Sequence, residues 1–370
     1  MIKTFAVVGL LFCFAAGTVS GEDLFNTYQW NRPNFEANNG RIDRGDWYEW
    51  WYYKVVLPEQ EQAFYFIYGV VNPWDRQQQR ETSRSYVAFG SFNDDVSVEM
   101  TFPVDQFESR YDETRVHVAG NVATDTSIRG AIAADGHEVS WDLQLENDWR
   151  FNAMGWLMPI REITDIFWYP AQADARMSGI VELDGKTIKL DRAAAYQDRN
   201  WGRSFPIYWA WLVSNHFQDH PQTVLAAGGG KPKILGRFPV VEGLSIGLKH
   251  AGKEFIFRPM DGDFVDTNIR FGKWEATAIN QKGDKIEISA FAPKEKFMVL
   301  KFLTPQGKVF YDYEALQGKI EINLYRRKKW WFIPYWSLVA ELSTEAGGIE
   351  FGSPDIQDID AYFASSFSVP

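Results

Sequence analysis

Short runs in which large apolar residues alternate with polar ones make up most of this chain, and turn-forming residues separate them. Alternation at every second position is typical of a β-strand that buries one face. Asp184-Gly185 is a type I′ hairpin tip between the strand-like runs Ser178–Leu183 and Lys186–Leu190. No stretch has the spacing of a long amphipathic helix. The pattern predicts an all-β chain of antiparallel barrels or sandwiches.

Two of these runs, Trp50–Tyr53 and Tyr208–Trp211, carry rings at successive positions. Rings therefore point to both faces of each strand, and both faces must be covered. We expect one set of rings to fill a barrel interior. The other set is expected to pack against a neighbouring layer. We also expect the two runs to come together, with Trp51 or Trp50 and Trp209 or Trp211 lining one apolar cavity beside Asp198.

We expect two β-barrel-like domains, an N-terminal one over residues 22–195 and a C-terminal one over 196–370, because the second half repeats the succession of strands and turns. Residues 22–44 are polar and predict a loosely packed arm. Gly228–Gly230 lack the context of a phosphate-binding loop, and we interpret them as a flexible turn. The domain boundary falls beside the densest motif, and a junction between domains is a common place for a ligand site.

Composition and the N-terminus narrow the possible partners. Aromatic residues make up 16% of the chain, which suits ring-lined interiors. The formal net charge of −11 argues against nucleic acid or an anionic membrane as the main partner. Lys3, the apolar run 5–16 and the small residues after it predict a signal peptide over 1–21, and hence a secreted or periplasmic protein without a transmembrane segment. The only cysteine, Cys13, lies in this leader.

The central motif is Tyr196-Gln-Asp-Arg-Asn-Trp-Gly-Arg-Ser-Phe-Pro206, which sets Asp198 among charged, amide and aromatic side chains. An acid between rings has a raised pKa unless an arginine favours its anion, and the sequence leaves open which effect wins. Asp198 is our candidate proton donor. Should an arginine bind it in bidentate fashion, Glu49 or Asp263 takes that role. The plain alternative is a structural ion pair packed on rings.

Nine further residues are candidates for substrate binding: Trp50, Trp51, Arg199, Asn200, Trp201, Arg203, Trp209, Trp211 and Asn215. No metal site is predicted, because His117 and His137 stand without a second ligand at a suitable spacing.

The central motif resembles the Tyr-x-Glu-Lys-Asn-Trp-Gly-x-x-Phe-Pro-x-x-Trp-Phe-Trp signature of tocopherol cyclases. Trp50-Trp-Tyr-Tyr-Lys-Val-Val56 is similar to that family's first strand, and Ala340–Gly352 to its end. The resemblance runs in order over residues 45–352. It implies a lipocalin-like fold of two barrel-type halves and a cofactor-free reaction. An acid protonates the alkene of a prenylated quinol, and a phenolic oxygen closes the chromanol ring.

Two departures qualify the resemblance. Asp198 and Arg199 stand where the signature has Glu and Lys, and the predicted signal peptide contrasts with the plastid location of the plant enzymes. The expected function is cyclisation of a prenylated quinol or related isoprenoid lipid, an isomerase-type reaction. Two alternatives stay open: an exported isoprenoid-binding protein without chemistry, and an enzyme like the carotenoid hydratases, to which the family is distantly similar. The expected partner is a hydrophobic small molecule, and the oligomeric state is left open.

Overall fold

The structure is a computed structural model that describes residues 23–32, 41–160, 163–234, 238–239 and 242–358. The predicted signal peptide lies outside these residues. The described part consists almost wholly of antiparallel strands joined by turns and short 3-10 helices. None of the helices described is long and apolar enough to cross a membrane. The all-β prediction is confirmed.

The first half of the chain forms one antiparallel sheet of eleven strands in the order β4-β3-β2-β1-β11-β10-β9-β8-β7-β6-β5. The sheet curls so that β4 approaches β8 and β3 approaches β6. Its strands are β1 (Tyr48–Leu57), β2 (Gln62–Val71), β3 (Arg84–Ser91), β4 (Val96–Phe102), β5 (Phe107–Ser109), β6 (Arg115–Val118), β7 (Asn121–Thr124), β8 (Ser127–Ala134), β9 (His137–Trp149), β10 (Ile166–Leu183) and β11 (Lys186–Gly202).

The second half forms a ten-stranded sheet in the order β17-β16-β13-β12-β23-β22-β20-β19-β18, with β21 paired to β22. Its strands are β12 (Trp209–Ser214), β13 (Val224–Gly230), β16 (Gly243–His250), β17 (Lys253–Phe257), β18 (Phe264–Arg270), β19 (Lys273–Ile279), β20 (Asp284–Phe291), β21 (Met298–Leu303), β22 (Val309–Trp330) and β23 (Ile333–Ser353). The two-residue strands β14 (Lys233–Ile234) and β15 (Phe238–Pro239) pair separately.

The aromatic strand β1 divides its side chains between two cores, as predicted. Trp51 and Tyr53 belong to the core inside the first sheet, whereas Trp50 and Tyr52 belong to a second core that also contains Trp209 of β12. This second core joins the two sheets, and it surrounds the site described below. A third core lies inside the second sheet.

Several details differ from the predictions. β11 stays in the first sheet to Gly202, so the change of sheet falls a few residues after the expected boundary at 195. The division into two domains stays a prediction. The described part of the N-terminal arm is packed, which corrects the expected loose packing. Asn26, Thr27 and Tyr28 are buried, and the Tyr28 ring contacts Phe107 and stacks on Tyr111.

The predicted turn at Gly228–Gly230 is wrong, since these residues form the end of β13. The Asp184-Gly185 hairpin is confirmed, with φ of 50° and 80° at its two positions. The hairpin's strands extend well beyond the predicted runs.

Candidate active site

A cavity of about 490 Å³ lies between the two sheets. Its wall is mainly apolar and includes seven aromatic side chains: Trp50, Tyr52, Trp156, Trp168, Trp209, Trp211 and Phe302. Four carboxyl groups also reach it: Asp198, Asp312, Glu314 and Glu350. Trp156 is 60% exposed and donates from Nε1 to the carbonyl of Met260 at 2.9 Å, so it marks the boundary between cavity and solvent. A concave, mainly apolar space with a few convergent polar groups is the usual form of a small-molecule site.

Strand register brings the two aromatic runs to this cavity. Trp50 pairs with Asn200 and Tyr52 with Asp198, so alternate residues of β1 and β11 face the same side. Across the cavity, β12 contributes Trp209 and Trp211. The predicted meeting of tryptophans from both runs beside Asp198 is confirmed for these residues.

Asp198 is 3% exposed and receives hydrogen bonds from neutral donors. Trp168 Nε1 donates to its Oδ2 at 2.7 Å, the Tyr196 hydroxyl donates to the same oxygen at 2.9 Å, and Asn200 Nδ2 donates to Oδ1 at 3.3 Å. Trp211 Nε1 donates in turn to the Tyr196 hydroxyl at 3.2 Å. Burial raises the pKa of Asp198 to about 7, although these N–H and O–H groups oppose the rise. A carboxyl group in this state holds or releases a proton near neutral pH.

Gly228 explains how Trp168 reaches Asp198. A Cβ atom at position 228 would lie 2.7 Å from Cη2 of the Trp168 ring, closer than packed atoms approach. The absence of a side chain therefore lets the indole lie flat against β13 with its N–H aimed at the carboxyl group. Gly228 and Gly229 also line the cavity. Their missing side chains therefore enlarge the cavity, and at Gly228 they also allow the close contact with Trp168.

The other three carboxyl groups form a cluster on β22 and β23. Glu314 pairs with Glu350 across the two strands, and Glu350 pairs with Trp211 on its other side. Glu314, Glu350 and Trp211 therefore lie in one row across the sheet. Glu350 donates a hydrogen bond to Asp312, which also accepts one from Trp209 Nε1 at 3.2 Å. Burial, followed by the charge of a neighbouring carboxylate, raises the pKa of Asp312 and of Glu350 well above the ordinary range. These shifts favour the protonated forms of the clustered acids.

Glu314 links this cluster to β1. It accepts a hydrogen bond from the Tyr52 hydroxyl, and its other oxygen has no hydrogen-bond partner among the described residues. Lys54, two residues along β1, is 1% exposed, and burial lowers its pKa to about 8 while the Glu314 charge opposes that change. The acid cluster thus has a buried lysine near it, although Lys54 itself does not line the cavity.

The opposite face of β1 and β11 has different chemistry. Glu49 and Arg199 are both fully buried there and form a salt bridge, and the guanidinium lies 4.4 Å from the ring centre of Trp51 and 4.9 Å from that of Trp201. Glu49 also accepts hydrogen bonds from Trp47 Nε1 at 2.8 Å and from backbone N–H groups. None of these side chains lines the cavity. The placement of Glu49, Trp51, Arg199 and Trp201 in a pocket is therefore corrected: neighbours along a strand point to opposite faces.

Three other candidates also lie away from the cavity. Arg203 pairs with Asp43 at 2.7 Å. Asn215 is buried and donates to Asp174 and to the carbonyls of Ala175 and Ala195, which fixes the end of β12. Asp263 accepts from the backbone N–H groups of Arg258 and Gln281 and closes a turn. Of the sequence candidates, Asp198, Trp50, Asn200, Trp209 and Trp211 line the cavity.

Sequence reasoning missed Asp312, Glu314, Glu350 and Trp168. A signal existed in Asp312-Tyr-Glu314, because two acids at alternate positions of the otherwise apolar stretch 309–316 share one buried face of the strand. Their distance along the chain from Asp198 hid the connection. Only the pairing of β12 with β23 and of β23 with β22 brings them to the cavity.

The sequence profile of the tocopherol cyclase-like family matches residues 105–353, which is more than half of the chain. The chain belongs to this family. The match includes Asp198, Trp168 and the three clustered acids, and it stops at the end of β23.

Two similar proteins are plant tocopherol cyclases. The probable chloroplastic tocopherol cyclase of Oryza sativa subsp. japonica is 24% identical over 336 residues, covering 76% of this chain and 70% of that protein. The chloroplastic tocopherol cyclase of Zea mays is 24% identical over 333 residues, with the same shares covered. Among solved structures, CghA in complex with Sch210972 has a TM-score of 0.53 at 10% identity, covering 85% of this chain and 91% of that one, which shows a shared fold.

Proposed function

We propose that this family member catalyses an acid-initiated cyclisation of a prenylated quinol or a related isoprenoid lipid. The observation that carries the proposal is Asp198, a buried carboxyl group that faces a ring-lined cavity and accepts hydrogen bonds from the neutral side chains of Trp168, Tyr196 and Asn200. The names of the rice and maize relatives support the same reaction class.

The proposed reaction balances within the substrate and the site. The carboxyl O–H of Asp198 gives its proton to a trisubstituted alkene, which becomes a tertiary carbocation. A phenolic oxygen of the same molecule then forms the C–O bond and closes the ring. Its proton leaves to the Asp198 carboxylate formed in the first step, so the site returns to its starting protonation state. The product is an isomer of the substrate.

Each part of the wall has a role in this scheme. The rings of Trp50, Trp209 and Trp211 border the cavity, where their electron-rich π-systems stabilise a nearby cation. The apolar wall keeps water away from the cation, which water would otherwise trap as an alcohol. The acids Asp312, Glu314 and Glu350 also border the cavity, and the Glu314 oxygen that has no hydrogen-bond partner among the described residues accepts a hydrogen bond from the phenol.

The experiment is to incubate the protein with 2-methyl-6-phytylquinol without oxygen, extract the lipids and compare their mass, retention and ring count with the starting material. The expected result is a chromanol of unchanged mass. A heat-unfolded sample and the Asp198→Asn variant are the controls for uncatalysed ring closure.

The other outcomes separate the alternatives. A product heavier by one water indicates a hydratase, in which the same cation is trapped by water. Recovery of unchanged quinol that co-purifies with the folded protein indicates a binding protein. Either result, with no chromanol formed, would contradict the proposed cyclisation of this substrate.

A further inference from the structure

The hairpin of β22 and β23 ends in a strongly apolar tip that is exposed. Trp331 and Phe332 form the turn and are 83% and 92% exposed, and Trp330 and Ile333 beside them are 70% and 65% exposed. Scattered apolar residues are common on protein surfaces, but a contiguous aromatic group of this kind marks an interaction site. The tip and the acid cluster lie toward opposite ends of β22, so the tip is not part of the cavity.

This tip stands on a free two-stranded ribbon. The pairing of β20 with β22 ends at Arg326, and β12 pairs with β23 only from Gly348 to Gly352. From Lys328 onward the two strands pair only with each other. An isolated hairpin is marginally stable in water, and its exposed rings add no packing. The hairpin beyond Lys328 therefore extends from the sheet without contributing to its core.

Four consecutive basic residues precede the tip, Arg326-Arg-Lys-Lys329. Arg326 pairs with Asp284 at 2.7 Å, whereas Arg327, Lys328 and Lys329 are exposed and form no ion pair with other described residues. The alternation of the strand places these cations on both faces of the ribbon, just behind the rings. They form a positive collar on a chain whose net charge is −11.

We propose that this hairpin docks the protein on an anionic lipid bilayer. Tryptophan and phenylalanine enter the boundary between headgroups and acyl chains, and the basic collar lies at the level of the anionic headgroups. The acidic remainder of the molecule is repelled by the same surface, which orients the protein with the tip toward the membrane. The net charge argued against an anionic membrane as partner, and the local charge reverses that expectation. The proposal does not depend on the cyclase chemistry.

The test is flotation of the protein with vesicles of phosphatidylcholine alone and of phosphatidylcholine mixed with phosphatidylglycerol, at low and high salt. The wild type should bind the mixed vesicles at least about tenfold more tightly than the neutral ones, and salt should remove most of the difference. Trp331→Asn/Phe332→Ser should weaken binding to both kinds of vesicle at least about tenfold. Asn suits position 331, where φ is 57°.

A second variant separates charge from apolar insertion. Arg327→Gln/Lys328→Gln/Lys329→Gln should lose at least about tenfold in affinity for the mixed vesicles and little for the neutral ones. The matched control, Arg115→Gln/Lys189→Gln/Lys253→Gln, removes the same charges from exposed positions elsewhere and should bind the mixed vesicles like wild type.

Two results would overturn the proposal: no binding of the wild type to either vesicle, or equal binding by wild type and the Trp331→Asn/Phe332→Ser variant. Analytical sedimentation without vesicles tests the alternative that the hairpin binds a second copy of the chain. A concentration-dependent dimer that the tip variant loses, with no vesicle binding, assigns the hairpin to contact between copies of the chain.

Discussion

The two faces of the β1–β11 strand pair each bury a carboxyl group, and the two groups differ in their partners. Glu49 faces the fully buried guanidinium of Arg199, whereas Asp198, on the other face, accepts hydrogen bonds from the neutral donors Trp168 and Tyr196 and borders the cavity. Burial lowers the pKa of Arg199 to about 10, so this arginine keeps its charge at neutral pH. The comparison separates a structural ion pair from a proton-holding acid on the same strands.

The difference follows from the two-residue repeat of a strand. Asp198 and Arg199 are adjacent in the sequence, and that adjacency is what places them on opposite faces. The arginine therefore does not suppress the acid's pKa, and the open question from the sequence is answered by geometry. Three measurements of stability and one of turnover test this difference between the two faces.

The largest expected effect is on stability when one partner of the ion pair is removed. Glu49→Gln leaves the Arg199 charge buried without an anion, and the free energy of unfolding should fall by about 3–5 kcal/mol. Urea unfolding measures it. In the double variant Glu49→Gln/Arg199→Met no buried charge remains, so most of the loss should be recovered. A loss under about 1 kcal/mol for the single variant would show that the pair is not the structural element described.

The second effect is a pH dependence of stability caused by Asp198. Its pKa is raised on folding, so the folded protein binds the proton more tightly than the unfolded chain does. Its contribution is fully present below the unfolded pKa near 4, and it is lost as the pH rises through about 7. The free energy of unfolding should fall by about 4 kcal/mol over this range, because each unit of pKa difference corresponds to about 1.36 kcal/mol.

Asp198→Asn removes this dependence, which isolates it from the clustered acids. The unfolding free energies of wild type and variant, measured from pH 4 to 8 (roughly the span of both pKa values), should diverge in favour of the variant as the pH rises. Parallel curves would mean that Asp198 has an ordinary pKa.

A smaller effect should distinguish the rings on the two faces. Trp51 is fully buried inside the first core, and Trp51→Ala should cost about 3–5 kcal/mol. Trp209 has one side toward the cavity, so Trp209→Ala should cost at least about 1 kcal/mol less. It should also weaken binding of a di-O-methyl prenylquinol, whereas the folded fraction of the Trp51 variant should bind normally. Equal stability losses with unchanged binding in both would assign Trp209 to core alone.

The sequence predicted what depends on local alternation. The rings of Trp50–Tyr53 do divide between two cores, and the Asp184-Gly185 hairpin is present. It could not predict what depends on strand order. β12 pairs with β23, which lies far along the chain, and no local pattern encodes such a long-range pairing. This pairing brings Glu350 to the site.

The errors have the same origin. Trp51, Trp201 and Arg199 were grouped with Asp198 because they lie near it in sequence, although strand geometry separates them by face. Gly228–Gly230 suggested a turn from composition, whereas their role is to leave room for Trp168. No turn was predicted between β22 and β23, because the tip of this hairpin is apolar where turns are usually polar.

The central claim is that Asp198 is the acid of the cavity, and turnover of Asp198→Asn with 2-methyl-6-phytylquinol tests it most directly. Wild-type turnover should fall as the pH rises through about 7, because the proton donor is lost. Asn keeps the size and a hydrogen-bonding side chain but has no carboxyl proton, so turnover should drop at least about 100-fold in a folded protein. Turnover within a few-fold of wild type, with the same pH dependence, would contradict the account and move the acid role to the cluster of Asp312, Glu314 and Glu350.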